Sequence, residues 1–149
     1  MRLDLNTFKL VVESTPLISI DLIVTNSEGQ VLLGERTNRP AQGYWFVPGG
    51  RILKNEIFEE AFKRLTIVEL GVELELADAS FLGVYEHHYA DSFLGDDLST
   101  HYVVLAYRLV LDVDNLDLPS EQHDSYRLWG IEELLDSKVV HQNTKDYFC

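Results

Sequence analysis

A lone cysteine, Cys149 at the last position, leaves this chain no partner for an internal disulfide. Its stability has to come from packing, and a reducing compartment suits it, so a cytoplasmic location is expected. Basic residues are also scarce: 12 Lys and Arg stand against 25 Asp and Glu, a formal net charge of −13. So acidic a surface repels a nucleic-acid backbone, which excludes nucleic acid as the expected partner. No apolar run is long enough to cross a bilayer, and the first residues lack the apolar stretch of a signal peptide, so neither a membrane nor export is expected. Repeats, low-complexity tracts and Pro/Gly/Ser linkers are absent. What is there, 149 residues with 46% hydrophobic and 25% charged content, has the size and balance of one globular domain, 1–149, around a single core.

Apolar, β-branched Leu17–Val24 predicts a strand in which Asp21 interrupts one face. Asn26-Ser27-Glu28-Gly29 predicts a turn and Gln30–Arg36 the returning strand. A loop over Thr37–Gly43 leads to a short strand, Tyr44–Val47, and then to Pro48-Gly49-Gly50, where adjacent glycines permit positive φ and close backbone approach. Further strands are expected at Ser80–His88, His101–Leu111 and Tyr126–Trp129, with short helices near Glu132–Ser137 and Thr144–Phe148. An acidic loop, Tyr89–Thr100, joins two of these strands. Several strands around one long helix, with a second helix late in the chain, point to an α/β/α sandwich on a mixed sheet.

The long helix has readable ends. Asn55 is placed as its N-cap, Glu56 and Glu59 complement the dipole at its start, and Gly71 provides a left-handed stop. At 100° per residue, Phe58, Phe62, Leu65 and Glu69 share one face, with Ala61 and Val68 alongside. That puts Glu69 on the buried stripe, where an ionised carboxylate needs a metal or an ion-pair partner. Glu56, Glu60, Lys63 and Arg64 take the opposite, solvated side, with Glu60 and Arg64 spaced to pair. Arg64 is expected to support the loop before the helix.

Gly50, Glu56, Arg64, Glu69, Gly71 and Val72 resemble the Nudix signature. Leu65 and Val68 stand where that pattern has glutamates, and Thr66 where it has an aliphatic residue. These departures, with LLGERTNRPAQGYWFVPGG before the box and THYVVLAYR and PSEQHDSYRLW after it, resemble the GDP-mannose mannosyl hydrolases over nearly the whole chain. The resemblance implies the Nudix α/β/α fold, a homodimer, and hydrolysis of GDP-mannose or GDP-glucose by attack of water at the anomeric carbon with inversion. It also implies Mg²⁺, replaceable by Mn²⁺, held by Glu69, the Gly49 carbonyl and the Gln122 amide oxygen. His123 would be the general base, and Arg36 and Arg51 would hold and stabilise the departing diphosphate. Tyr102 and Asp21 would bind the nucleotide sugar, with Arg39 a weaker candidate.

Each residue also has a plainer reading. His123 alone reads as a solvent-facing loop histidine, Arg36 and Arg51 as surface arginines, Asp21 as an edge feature, and Glu56 as a solvated first-turn acid. His87 and His88 adjoin the acidic loop and could line a sugar pocket. Trp45, Phe46 and Trp129 read as core. The two alternatives in function are a pyrophosphohydrolase that cleaves P–O and a non-catalytic binder of nucleotide sugars. For any of these anionic ligands the few arginines and a divalent cation must supply the local positive charge.

Overall fold

The computed structural model describes residues 2–38, 40–92, 94–95, 97–119 and 123–149, the side chains of His123 and Asp124 excepted. The chain runs α1 (Leu5–Ser14), β1 (Leu17–Thr25), β2 (Val31–Arg36), β3 (Trp45–Phe46), β4 (Gly49–Arg51) and α2 (Phe58–Leu70). It continues with β5 (Ser80–Tyr89), β6 (Thr100–Val110), β7 (His123–Trp129), α3 (Ile131–Asp136) and α4 (Gln142–Lys145), with single 3₁₀ turns between.

The sheet is mixed, in the order β3-β2-β1-β6-β5, with β4 paired to β1 and β7 to β2. β1 lies parallel to β6 along its whole length, from Leu17 opposite Tyr102 to Thr25 opposite Val110. Every other pair is antiparallel. On its other edge β1 meets β2 only at Thr25 and then hands over to β4, with Asp21 opposite Gly49. Alternation along β1 explains the layers. Ile20, Leu22 and Val24 pack with Phe62 and Leu65 of α2, while Ile23 packs on the other face with Leu134 of α3 and Tyr147. The α/β/α sandwich on a mixed sheet is therefore as expected. Among the described residues no helix is long and apolar enough to cross a membrane.

The Asn26 turn also forms as expected. The Asn26 side-chain oxygen accepts from the Glu28 and Gln30 amides, and Gly29 takes φ 79°. α1 is an element for which the sequence reading gave no expectation. Asp4 caps it by accepting from the Thr7 amide at 2.9 Å, but Leu5 and Leu10 are both 63% exposed, so its apolar residues do not read as one stripe.

α2 corrects four readings. Asn55 is not the N-cap: it sits at φ 72° in a turn, and the helix starts from Ile57 with no side-chain cap. The extra turn lets Glu56 fold back toward the strand, where it accepts from the Leu53 amide at 2.7 Å and from Arg64 Nε at 2.7 Å. Glu56 is accordingly a half-buried anchor rather than a solvated acid, and the Arg64 hydrogen bonds hold its carboxyl below the usual range. Arg64 pairs with Glu56 rather than Glu60, and its Nη2 also donates to the Arg51 carbonyl at 2.8 Å. That is the loop support expected of it. The buried stripe is Ala61, Phe62, Leu65, Thr66, Glu69 and Leu70; Phe58 and Val68 turn outward at 52% and 39% exposure. Gly71 ends the helix at φ 73° as expected.

Arg64→Ala would leave a half-buried carboxylate and the Arg51 carbonyl without this donor. A charged hydrogen-bonded pair of this kind, discounted for its partial exposure, contributes about 1–2 kcal/mol. Denaturant unfolding of Arg64→Ala should show that loss, and Lys63→Ala, which removes only the surface contact with Glu75, a clearly smaller one. Equal losses would deny the clamp.

Candidate active site

Gly49 and Gly50 shape the site by the close backbone approach expected of them rather than by positive φ, and what they approach is β1 and α2. Neither is among the positive-φ glycines. What both need is space: a Cβ on Gly49 would collide with Asp21 Oδ1 and the Ile20 carbonyl, and one on Gly50 would stand 2.5 Å from Leu65 Cδ2. β4 can therefore lie directly between β1 and α2. Leu65, which is 2% exposed, is part of that packing.

The close approach brings Glu69 within reach of the Gly49 amide, although Glu69 is not among the residues that line the cavity beyond it. Glu69 is 2% exposed, and the Gly49 amide donates to its Oε1 at 3.3 Å, a long hydrogen bond. Burial raises its carboxyl to about 7, with Gly49 and Arg36 opposing the shift and Asp21 adding to it. A buried carboxylate with so little hydrogen bonding has the chemistry of a hard-cation ligand, and it fits Mg²⁺ or Mn²⁺. Burial also raises the nearby Tyr126 hydroxyl to about 12, and Glu69 adds to that rise.

In front of Gly49 opens a cavity of roughly 200 Å³, and the expected residues meet there from separate strands. Asp21 comes from β1, Arg36 from the end of β2, Gly49 and Arg51 from β4, and Tyr102 from β6. Arg36 donates through Nε to the Pro40 carbonyl at 3.0 Å and lies 5.9 Å from the Phe46 ring centroid. Its charge reaches Asp21, Glu69, Tyr89 and Tyr102. Arg51 stacks over Phe8 of α1 at 5.0 Å, so the unexpected helix helps to orient a site arginine. Both arginines are half-buried rather than free on the surface. On so acidic a chain, two guanidinium groups at one cavity make a local anion site. Burial raises the Tyr102 hydroxyl, keeping it a neutral donor.

Asp21 is no edge feature, since β1 is paired on both sides. Burial raises its carboxyl to about 7, against the Tyr147 hydroxyl that donates to Oδ2 at 2.5 Å and the pull of Arg36. The same hydroxyl lies 3.3 Å from His87 Nε2. With its proton committed to Asp21, Tyr147 accepts from His87 when Nε2 carries the hydrogen. Burial drives His87 down to about 4, so it is a neutral imidazole in the cavity wall. His87 thus joins the site, whereas His88 leaves it: alternation sends His88 to the opposite face, where its Nε2 lies 3.5 Å from Glu86 Oε2. Sequence reasoning gave no role to Tyr147, Tyr89 or Phe8. Trp129 and Phe46 are buried as expected, at 5% and 8% exposure, and Trp45 packs against Trp129; Phe46 also lines the cavity.

The strand β7 places the His123 backbone opposite Arg36 of β2, which lines the cavity. Its side chain, and the Gln122 and Arg39 candidates, lie outside the described residues. Of the box departures, Leu65 is core and Val68 faces out. Thr66 is fully buried, donating to the Lys63 carbonyl at 3.0 Å and accepting from the Leu74 amide at 3.1 Å, which satisfies its hydroxyl.

The chain matches the family model described as the NUDIX domain over residues 15–148. It is 40% identical over 128 residues to the low-salt glycan biosynthesis protein Agl8 of Haloferax volcanii, covering 86% of this chain and 80% of that protein. The MutT protein from Methanosarcina mazei Go1 has a similar fold, with TM-score 0.73 at 21% identity over 91% of this chain and 92% of that one. So does the NUDIX domain of Shewanella oneidensis NrtR complexed with ADP ribose, with TM-score 0.68 at 17% identity over 99% and 90% of the two chains. With the box on α2, the mixed sheet it packs against and a match over almost the full length, the chain belongs to the Nudix family of hydrolases.

Proposed function

We propose that this Nudix domain hydrolyses GDP-mannose, and GDP-glucose beside it, to GDP and free hexose by attack of water at the anomeric carbon. The observation that carries this reading is the state of the box. Leu65 packs under Gly50, Val68 faces out and Glu56 is taken up by Arg64, so Glu69 is the one box carboxylate left for a metal. That is too few to gather metals around an attacked phosphorus, but enough for a cation that serves the leaving group. Mg²⁺, or Mn²⁺ in its place, held by Glu69, the Gly49 carbonyl and the Gln122 amide, would supply Lewis-acid stabilisation of the leaving diphosphate.

The protein's own groups do the rest. His123 takes the proton from water as the new C–O bond forms, and the bond to the β-phosphate oxygen breaks with its electron pair leaving on GDP. Arg36 and Arg51 meet the charge that develops there, and Tyr102 donates to a phosphate oxygen. Asp21 binds the nucleotide sugar from β1. Direct displacement in one step inverts the anomeric centre. The glycan-biosynthesis name of the 40% identical relative and the ADP ribose in a structure of the same fold support a sugar joined to a nucleoside diphosphate as the ligand class. A homodimer of single-domain subunits in the cytoplasm completes the proposal.

Turnover of GDP-mannose in heavy-oxygen water with Mg²⁺ tests it. The label is expected in the released hexose, first as the inverted anomer, and not in GDP. Label in a phosphate product would instead make the chain an ordinary pyrophosphohydrolase. Binding of GDP-mannose without any turnover would make it a non-catalytic binder.

A further inference from the structure

The face of β5 and β6 turned away from the cavity carries a second constellation. β5 is the sheet's edge strand, and on it Glu86 and His88 project to the same side. His101 of β6 lies directly opposite His88 in the ladder. The two imidazole rings stack with centroids 4.2 Å apart and 26° between planes. The Nε2 atoms of both rings lie 3.5 Å from the same oxygen, Glu86 Oε2. At that distance neither contact is a good hydrogen bond, and His101 Nε2 is a buried polar atom without a hydrogen-bond partner.

We propose that Glu86, His88 and His101 form a site for a zinc-like divalent transition metal, separate from the Glu69 site. Their donor atoms all lie within 4.8 Å of one another. Two ligands of a tetrahedral Zn²⁺ at its usual bond lengths stand roughly 3.3–3.5 Å apart, so the carboxylate oxygen already has that spacing to each imidazole. The remaining adjustment is a small turn of side chains that are exposed enough to move. Two neutral imidazoles and one carboxylate select Zn²⁺, Co²⁺, Ni²⁺ or Cu²⁺ over Mg²⁺, which prefers an all-oxygen shell. Three protein ligands leave a fourth position for water. Because the ligands come from two strands, the ion would clip the edge strand to its neighbour and satisfy His101 Nε2.

ZnCl₂ titrated into the full chain with excess Mg²⁺, followed by calorimetry and by the imidazole nitrogen resonances, tests the proposal. One equivalent is expected to bind, shifting the His88 and His101 resonances and raising the melting temperature. Removing one ligand, in His88→Ala or Glu86→Gln, should weaken that binding at least about tenfold. Hydrolysis with Mg²⁺ and the zinc-free melting temperature should not change. A Glu69→Gln background should retain the zinc equivalent. The proposal is overturned if His88→Ala binds Zn²⁺ like the native chain, if the equivalent disappears with Glu69→Gln, or if native binding is nonstoichiometric.

Discussion

Glu69→Gln is expected to remove nearly all turnover while leaving the metal-free protein more stable than the native chain at pH 8. The loss follows from the proposed ligand role, since an amide oxygen carries no charge for Mg²⁺ or Mn²⁺. The gain follows from burial. Glu69 is 2% exposed, and its carboxyl is raised from 4.5 to about 7 in the folded chain. A folded pKa above the unfolded one means that this group's stabilising contribution is complete below about pH 4.5 and is lost as pH rises through 7. At about 1.4 kcal/mol per unit, the full cost by pH 8 is on the order of 3 kcal/mol. Gln has no proton to lose and is spared that cost.

On the proposed ligand role, metal binding would reverse the sign for the native chain alone, because the cation would take the ionised carboxylate. Mn²⁺ should therefore raise the native melting temperature more at pH 8 than at pH 5.5, and should raise that of Glu69→Gln far less at either pH. Asp21 loses stability in the same direction over the same window, whereas His87, lowered from 6.5 to about 4, loses it as pH falls. Comparing variant with native chain at each pH cancels the His87 part, and cancels the Asp21 part except for its coupling to Glu69. Near-normal turnover of Glu69→Gln at ordinary Mg²⁺ would refute the ligand assignment.

What could be read from the sequence divides along a physical line. Periods that belong to one element survive: the alternation of β1, the Asn26 turn and the Gly71 stop are local, and each forms where its residues place it. Glu69 was legible because a carboxylate among apolar neighbours is costly wherever α2 docks. The start of α2 was not, because the Glu56 carboxylate is claimed by Arg64 and Leu53, and that claim moves the first turn past Asn55. α1 was hidden by Leu5 and Leu10, which face solvent despite their hydrophobicity.

The cavity shows the same division. Asp21, Arg36, Arg51 and Tyr102 could be singled out by the family resemblance, but not the hydroxyl that organises one of them. Tyr147 reaches Asp21 across 126 positions of sequence, and only the docking of the last 3₁₀ turn onto the sheet brings them together. His87 and His88 illustrate the remaining gap. Adjacent and chemically identical, they are divided by the pleat, one into the cavity and one onto the opposite face.

His123→Gln is the sharpest test of the proposed chemistry, with a rate expected to fall by roughly 10²–10⁴ while fold and metal binding persist. The structural motive is the ladder between β2 and β7, which sets the His123 backbone opposite Arg36, whose charge acts on both Asp21 and Glu69. With saturating Mg²⁺, kcat of the native enzyme should rise with pH through one ionisation near neutrality and then level. Asp21 is the competing owner of such a limb, since its carboxyl is raised to about 7. The variant separates them: if His123 is the base, His123→Gln loses the limb along with the rate. Should the limb survive in a slow His123→Gln enzyme, the ionisation belongs to Asp21. Should the rate itself survive, with metal binding and melting temperature unchanged, water is activated by another group and the general-base assignment fails.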